Sequence, residues 1–122
     1  MKARKFVTDA LKEHLPTWRV IDNHARPDAL DRLTVFVATT DIARASEAPM
    51  GSYDTTVSLI LASPKADNIA AAEADLEEAL EALVQVIENE LRLVWGPAAK
   101  TTLQETYLAW TVPIHVYTSR KD

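Results

Sequence analysis

The chain contains no cysteine, which excludes a disulfide framework and a thiolate zinc site. That fits assembly in a reducing cytoplasm. Glycine is nearly absent too: Gly51 and Gly96 are the only two, so no glycine-rich loop that cradles phosphates can be written. A G-x-S-x-G elbow and an H-E-x-x-H helix are also missing. The longest stretch free of Asp, Glu, Lys and Arg runs from Thr106 to Ser119. It is polar in places and shorter than the roughly 18–20 apolar residues that span a bilayer. No long apolar run follows the basic start Met1-Lys2-Ala3-Arg4-Lys5, so that start does not read as a signal peptide. Cations are in the minority, with net charge −5 and pI near 5.1. They cluster only at Lys2, Arg4 and Lys5 and at Arg120 and Lys121. A phosphate-gripping surface needs a larger basic footprint. Sequence-specific nucleic-acid binding is therefore disfavoured, and no membrane partner is expected.

What is present suits one domain, residues 1–122, with 48% apolar and 25% charged residues. Phe6, Val7, Ala10 and Leu11 predict a helix over Ala3 to His14, which Pro16 stops. Trp18 to Ile21 reads as a short strand, and Asp22 to Asp31 as a turn-rich loop. Arg32 to Thr40 alternates as a strand, with Leu33, Val35 and Val37 on one face. Asp41 to Gly51 reads as a long loop, and Ser52 to Ala62 as a strand antiparallel to the previous one. Ile69, Ala72, Leu76, Leu80, Leu83, Ile87 and Leu91 form a continuous helical stripe. Its start is ambiguous between Ser63-Pro64 and a cap at Asp67 or Asn68. Lys100 to Gln104 is a possible strand. Tyr107 to Thr118 is a strong one, with Leu108, Trp110, Val112, Ile114 and Val116 on one face. Pro113 requires an edge or a bulge there. The expected fold is α+β: a mostly antiparallel sheet of four to five strands, with an N-terminal helix and one long helix packed on one face. Phe36, Ile60, Tyr107 and Tyr117 fall on the other sheet face, where an isolated domain leaves them partly wet and an oligomer covers them.

Few residues carry chemistry. His14 ends the first helix, where a cation complements the dipole. His115 lies on the less apolar strand face, as an interface or hydrogen-bonding residue rather than a general base. Asp22, His24, Asp28 and Asp31 form the best metal-like group, but their spacing matches no calcium loop and such residues are ordinary turn formers. Trp110 sits in the core row, while Trp18 and Trp95 lie beside breaks, where partial exposure is expected. No catalytic residue, metal or cofactor is assigned.

The long helix stands out. It carries Glu73, Asp75, Glu77, Glu78, Glu81, Glu88 and Glu90, with no lysine or arginine between Ile69 and Glu90. Glu73, Glu77 and Glu81 repeat at i, i+4, i+8, where each like-charge pair costs about 0.2–0.5 kcal/mol. A solvated face tolerates that cost. The alternative is a ridge that meets a neighbouring subunit, divalent ions, or a lumen that must not hold DNA. The loop Asp41 to Gly51, with Ile42, Arg44, Glu47 and Met50, is the second candidate surface, since hairpin loops usually run about 2–5 residues.

In its order of elements the chain resembles the tail terminator family of siphoviruses, proteins that cap the tail tube and join it to the head. The resemblance spans the helix up to His14, the strand Leu33 to Val37, the loop to Gly51, the strand Tyr53 to Ala62, the helix Ile69 to Glu90 and the strand Tyr107 to Tyr117. It implies a non-enzymatic structural protein that forms a homohexameric ring. Its partners are the tail tube protein and a head-completion or connector protein. It is made in the host cytoplasm and ends at the head-proximal end of the virion tail. Another connector or minor tail protein, or a small ligand- or metal-binding α+β domain, are the alternatives. The residue patterns offer Ile42, Arg44, Glu47, Met50, Tyr53, Glu73, Glu77, Glu81, Tyr107, His115 and Tyr117 as the partner-binding set.

Overall fold

A computed structural model describes residues 2–21, 30, 32–44, 52–65, 68–103 and 107–119, with the backbone alone described at 2, 41–44, 52, 53, 103 and 117–119. Among the described residues the architecture is α+β, with two helices and a mixed sheet of six strands. Helix α1 spans Lys2–His14, strand β1 Arg19–Ile21, β2 Thr34–Arg44 and β3 Ser52–Ala62. Helix α2 spans Ile69–Gln85 and continues as a π-helical stretch, Val86–Leu91. Strands β4 (Val94–Trp95), β5 (Ala99–Leu103) and β6 (Tyr107–Ser119) follow. The sheet order is β1-β2-β3-β6-β4, and β5 also pairs with β6. β1 joins β2 in parallel; the other pairs are antiparallel.

The strand alternation decides which face the helices cover. Val35 lies opposite Leu61 and Val37 opposite Leu59, while Leu59 faces Val112 and Val57 faces Ile114. All seven are fully buried, together with Leu76, Leu83 and Ile87 of the long helix and Val7 and Leu11 of α1. Each such side chain contributes about 1.5–3 kcal/mol relative to exposure. Trp110, expected in this row, is partly buried against it.

Several boundaries differ from the sequence expectation. Strand β1 lies where Trp18 to Ile21 reads as a strand and β5 where Lys100 to Gln104 does, but β4 is too short to show periodicity, so the described residues form six strands rather than four to five. Asp41 to Arg44 belong to β2, not to a loop, because they keep pairing with Tyr53 to Thr56 beyond a bulge between Thr39 and Asp41. The bulge adds the residue that hides this continuation from a period-two reading. Ile69, placed in the helical stripe, is 68% exposed, because it sits on the first turn beyond the sheet's cover. Phe6 is likewise half exposed, and α1 packs through Ala3, Val7 and Leu11. On the second sheet face, Phe36 is not wet: it is buried with Leu30, Ala62 and Ala109, and Ile60 and Tyr107 pack against them.

The helix ends explain themselves. The Asn68 side chain accepts from the Ala71 N–H at 3.1 Å and so caps α2. Ser63, the other candidate, accepts from the Lys65 N–H in a local turn. At the far end Arg92 adopts the left-handed conformation (φ 54°), and Leu93 N–H reaches Ile87 O at 3.0 Å. Glycine usually takes that position. Pro113, which cannot donate to a ladder, sits where β4 has ended and β5 has not begun. Its carbonyl accepts from Gly96 N–H at 2.8 Å, and a Cβ on Gly96 would lie 3.0 Å from the proline ring.

Two substitutions separate buried from exposed stripe positions. Leu76→Ala is expected to cost about 2–5 kcal/mol in urea unfolding, whereas Ile69→Ala changes stability by less than about 0.5 kcal/mol. Arg92→Gly is expected to stabilise by about 0.5–1 kcal/mol in thermal unfolding, because it relieves the left-handed backbone.

Candidate functional site

Three strands outrun their neighbours in the sheet. β1 stops at Ile21, opposite Phe36, and β4 pairs with β6 only at Ile114 and His115. β2, β3 and β6 go on together beyond these points, through Arg44 opposite Tyr53 and Ser52 opposite Ser119. The result is a three-stranded ribbon. Among the described residues, neither its β2 edge beyond Phe36 nor its β6 edge beyond His115 has a strand partner. Unpaired edges of this kind template pairing with another chain.

Five predicted partner-binding residues share this ribbon. Its successive rungs are Arg44–Tyr53–Thr118, Ala43–Asp54–Tyr117, Ile42–Thr55–Val116 and Asp41–Thr56–His115. Ile42, Arg44, Tyr53, His115 and Tyr117 are therefore neighbours, although the sequence divides them among three segments. Glu47 and Met50 lie outside the described residues, as do Asp22, His24, Asp28 and Asp31 of the metal-like group. No group of three or more metal-ligating side chains occurs among the described residues.

His115 Nδ1 lies 3.1 Å from Asp54 Oδ1, both side chains being about one-third exposed or less. Asp54 was missed by sequence reading; its signal is the lone acid of the strand Ser52 to Ala62. A carboxylate beside an imidazole is half of a nucleophile-activating triad. Thr40 Oγ1 lies 3.2 Å from Ser58 Oγ and 3.3 Å from the Thr56 carbonyl, while the Thr55 hydroxyl is buried without a hydrogen-bond partner among the described residues. The His115–Asp54 contact spans the intervening Thr55–Val116 rung and braces a diagonal of the ribbon.

The remaining predicted residues stand apart. Tyr107 lies at the opposite end of β6, and its hydroxyl accepts the Leu30 N–H at 3.2 Å. Glu73, Glu77 and Glu81 lie on α2, away from the ribbon. The acidic ridge is partly neutralised by lysines from elsewhere in the chain, which counts of residues within the helix could not reveal. Lys100 of β5 meets Glu73 at 2.6 Å, and Lys65 meets Asp75 at 2.6 Å. Glu88 accepts from the Trp95 indole at 3.0 Å, and Glu90 lies 3.9 Å from His14. Glu77, Glu78 and Glu81 are exposed and form no ion pair among the described residues.

A second feature was not foreseen. Asp75, Glu78, Ala79 and Ala82 make one stripe of α2 and, with Trp18 and Leu33, line an open cleft of about 330 Å³. Ala79 and Ala82 leave the room, since any larger side chain there would fill it. The Arg19 N–H bond to the Leu33 carbonyl, 2.9 Å, holds the Trp18 and Leu33 segments side by side. Compared with known protein families and with curated proteins, the sequence matches none.

Replacing Glu77 with lysine turns two i, i+4 repulsions into attractions. Glu77→Lys is expected to stabilise by roughly 0.5–1 kcal/mol in low salt and much less at 1 M salt, as thermal unfolding at the two salt concentrations would show.

Proposed function

We propose that the protein is a non-enzymatic assembly component of the tail terminator type, which forms a ring of about six copies and closes a phage tail tube beneath the head. The observation that carries this reading is the ribbon of β2, β3 and β6, whose strands stay paired past the ends of β1 and β4 and carry open edges among the described residues. Thr55 and Val116 are buried, and the ribbon goes on past them for further rungs. Strand pairs outside a core bury few apolar side chains, and an isolated ribbon is marginal in water. A neighbour that pairs with an open edge, or packs on the ribbon, supplies what the single chain lacks. Repeated head-to-tail contact of this kind generates a closed ring where the rotation between neighbours allows it.

The chemistry of the described residues agrees with a structural role. His115 and Asp54 hold each other at 3.1 Å and brace two rungs of the ribbon. No described helix is long and apolar enough to cross a membrane. In this reading the tube protein and a head-completion protein are the partners, and the exposed Glu77, Glu78 and Glu81 set a negative potential on one side of the ring. A negative surface near the channel keeps DNA from adhering during passage.

Light scattering after size exclusion tests the reading. A discrete species of about six times the 13.5 kDa chain mass, alone or on preformed tubes, is the expected result. Ile42→Asp combined with Tyr117→Asp should abolish it while far-UV circular dichroism stays unchanged. A monomer under every condition, tubes included, overturns the ring. A ring that survives the double substitution overturns the ribbon as its contact.

A further inference from the structure

The cleft between α2 and the β1–β2 entry is not used by the ribbon. Leu33, on its wall, precedes Arg44 at the ribbon's far end by eleven residues of chain, about 35 Å at strand rise. Its volume of about 330 Å³ falls at the lower end of ligand pockets, about 300–1,000 Å³. The lining has two chemistries. Trp18 and Leu33 form an apolar wall, Ala79 and Ala82 an apolar floor, and Asp75 and Glu78 put two carboxylates on the same helix stripe.

We infer that this cleft receives a lysine or arginine side chain from a partner polypeptide. The aliphatic stem of such a side chain lies against alanine and leucine while its charged head meets carboxylate and indole. Charge complementarity favours that occupant over others. An anion is repelled by the uncompensated Glu78, and a purely apolar group covers that carboxylate at a desolvation cost, Asp75 being already paired with Lys65. A primary ammonium is already accommodated at one end of the stripe, where Lys65 holds Asp75 at 2.6 Å. Glu78 is exposed and forms no ion pair among the described residues, so it provides the vacant counter-charge. The small residues matter as much as the acids: Ala79 is 4% exposed and makes the floor. The chain's net charge of −5 adds a general attraction toward a basic partner.

Nuclear magnetic resonance titration of the full chain tests this without any ring or tube. The probes are doubly capped lysine and arginine (acetyl and N-methylamide) with free side chains, the norleucine analogue, which keeps the stem and lacks the charge, and n-pentylamine. Lysine and arginine probes are expected to shift the Trp18 indole resonance at millimolar concentration, with the norleucine probe at least about fivefold weaker. Glu78→Gln should weaken lysine binding by about fivefold, whereas Glu81→Gln, outside the cleft, should change it by less than about twofold. Ala82→Leu should abolish binding by filling the floor, with thermal stability as its control. Equal binding of norleucine, equal losses from Glu78→Gln and Glu81→Gln, or an unmoved Trp18 resonance would each overturn the site. Tighter binding of n-pentylamine than of the capped lysine would overturn the polypeptide as its occupant.

Discussion

Strand β3 has no free edge. It is paired along its length with β2 on one side and β6 on the other, and its inward row Val57, Leu59 and Leu61 is fully buried. The period of a strand is two, so a slip of one residue would carry this row to the far face and bring Thr56, Ser58 and Ile60 under the helices. That intolerance fixes the partners as well: Val35 and Val37 on β2, and Val112 and Ile114 on β6, have one acceptable register each. Both helices then have a single apolar surface to cover. The edge strands are consequences of this frame. Pro113 tolerates only an interrupted neighbour, and Gly96 supplies it with a close approach and one backbone hydrogen bond.

The acidic helix shows how a cost calculated for one element is redistributed by the fold. Taken alone, α2 repeats like charges along one side and lacks basic residues in its last turn. In the folded chain, lysines 65 and 100 come to carboxylates 75 and 73 from flanking segments. Exposed pairs of this sort contribute about 0.2–1 kcal/mol each, comparable with the repulsions they oppose. The charge that remains uncompensated is concentrated at Glu77, Glu78 and Glu81 in the middle of the helix, one of them at the mouth of the cleft. A general acidity visible in composition thereby becomes a local one.

The long periodic elements were legible because their periodicity is the packing signal itself. Leu76, Leu83 and Ile87, and the row from Val112 to Val116, occupy the core as their spacing required. What escaped were features that arise only across the sheet. The bulge at Thr40 concealed four residues of β2, and β4 is only two residues long. The cover over Phe36 comes from Leu30, which local patterning around either residue does not connect. Of the candidate surface, Ile42, Arg44, Tyr53, His115 and Tyr117 were recognised as individuals, but their adjacency depends on register between distant strands. The cleft was invisible for a related reason: its floor is two alanines, and alanine in a helix reads as propensity rather than as space.

The two flanks of β3 also differ in how far apart their partners lie along the chain. The β2–β3 hairpin joins Arg44 to Tyr53, whereas the β3–β6 pairing joins Ala62 to Ala109 and Ser52 to Ser119. Closing the second pairing requires the long helix and β4 and β5 to be threaded between, and loop closure costs entropy before any contact repays it. Folding therefore has an intrinsic order. The hairpin and the helix form locally, and β6 then docks as the slow step. Until it docks, the inner strand presents Val57, Leu59 and Leu61 beside an open edge. The chain's most aggregation-sensitive moment belongs to its folding trajectory rather than to its native surface.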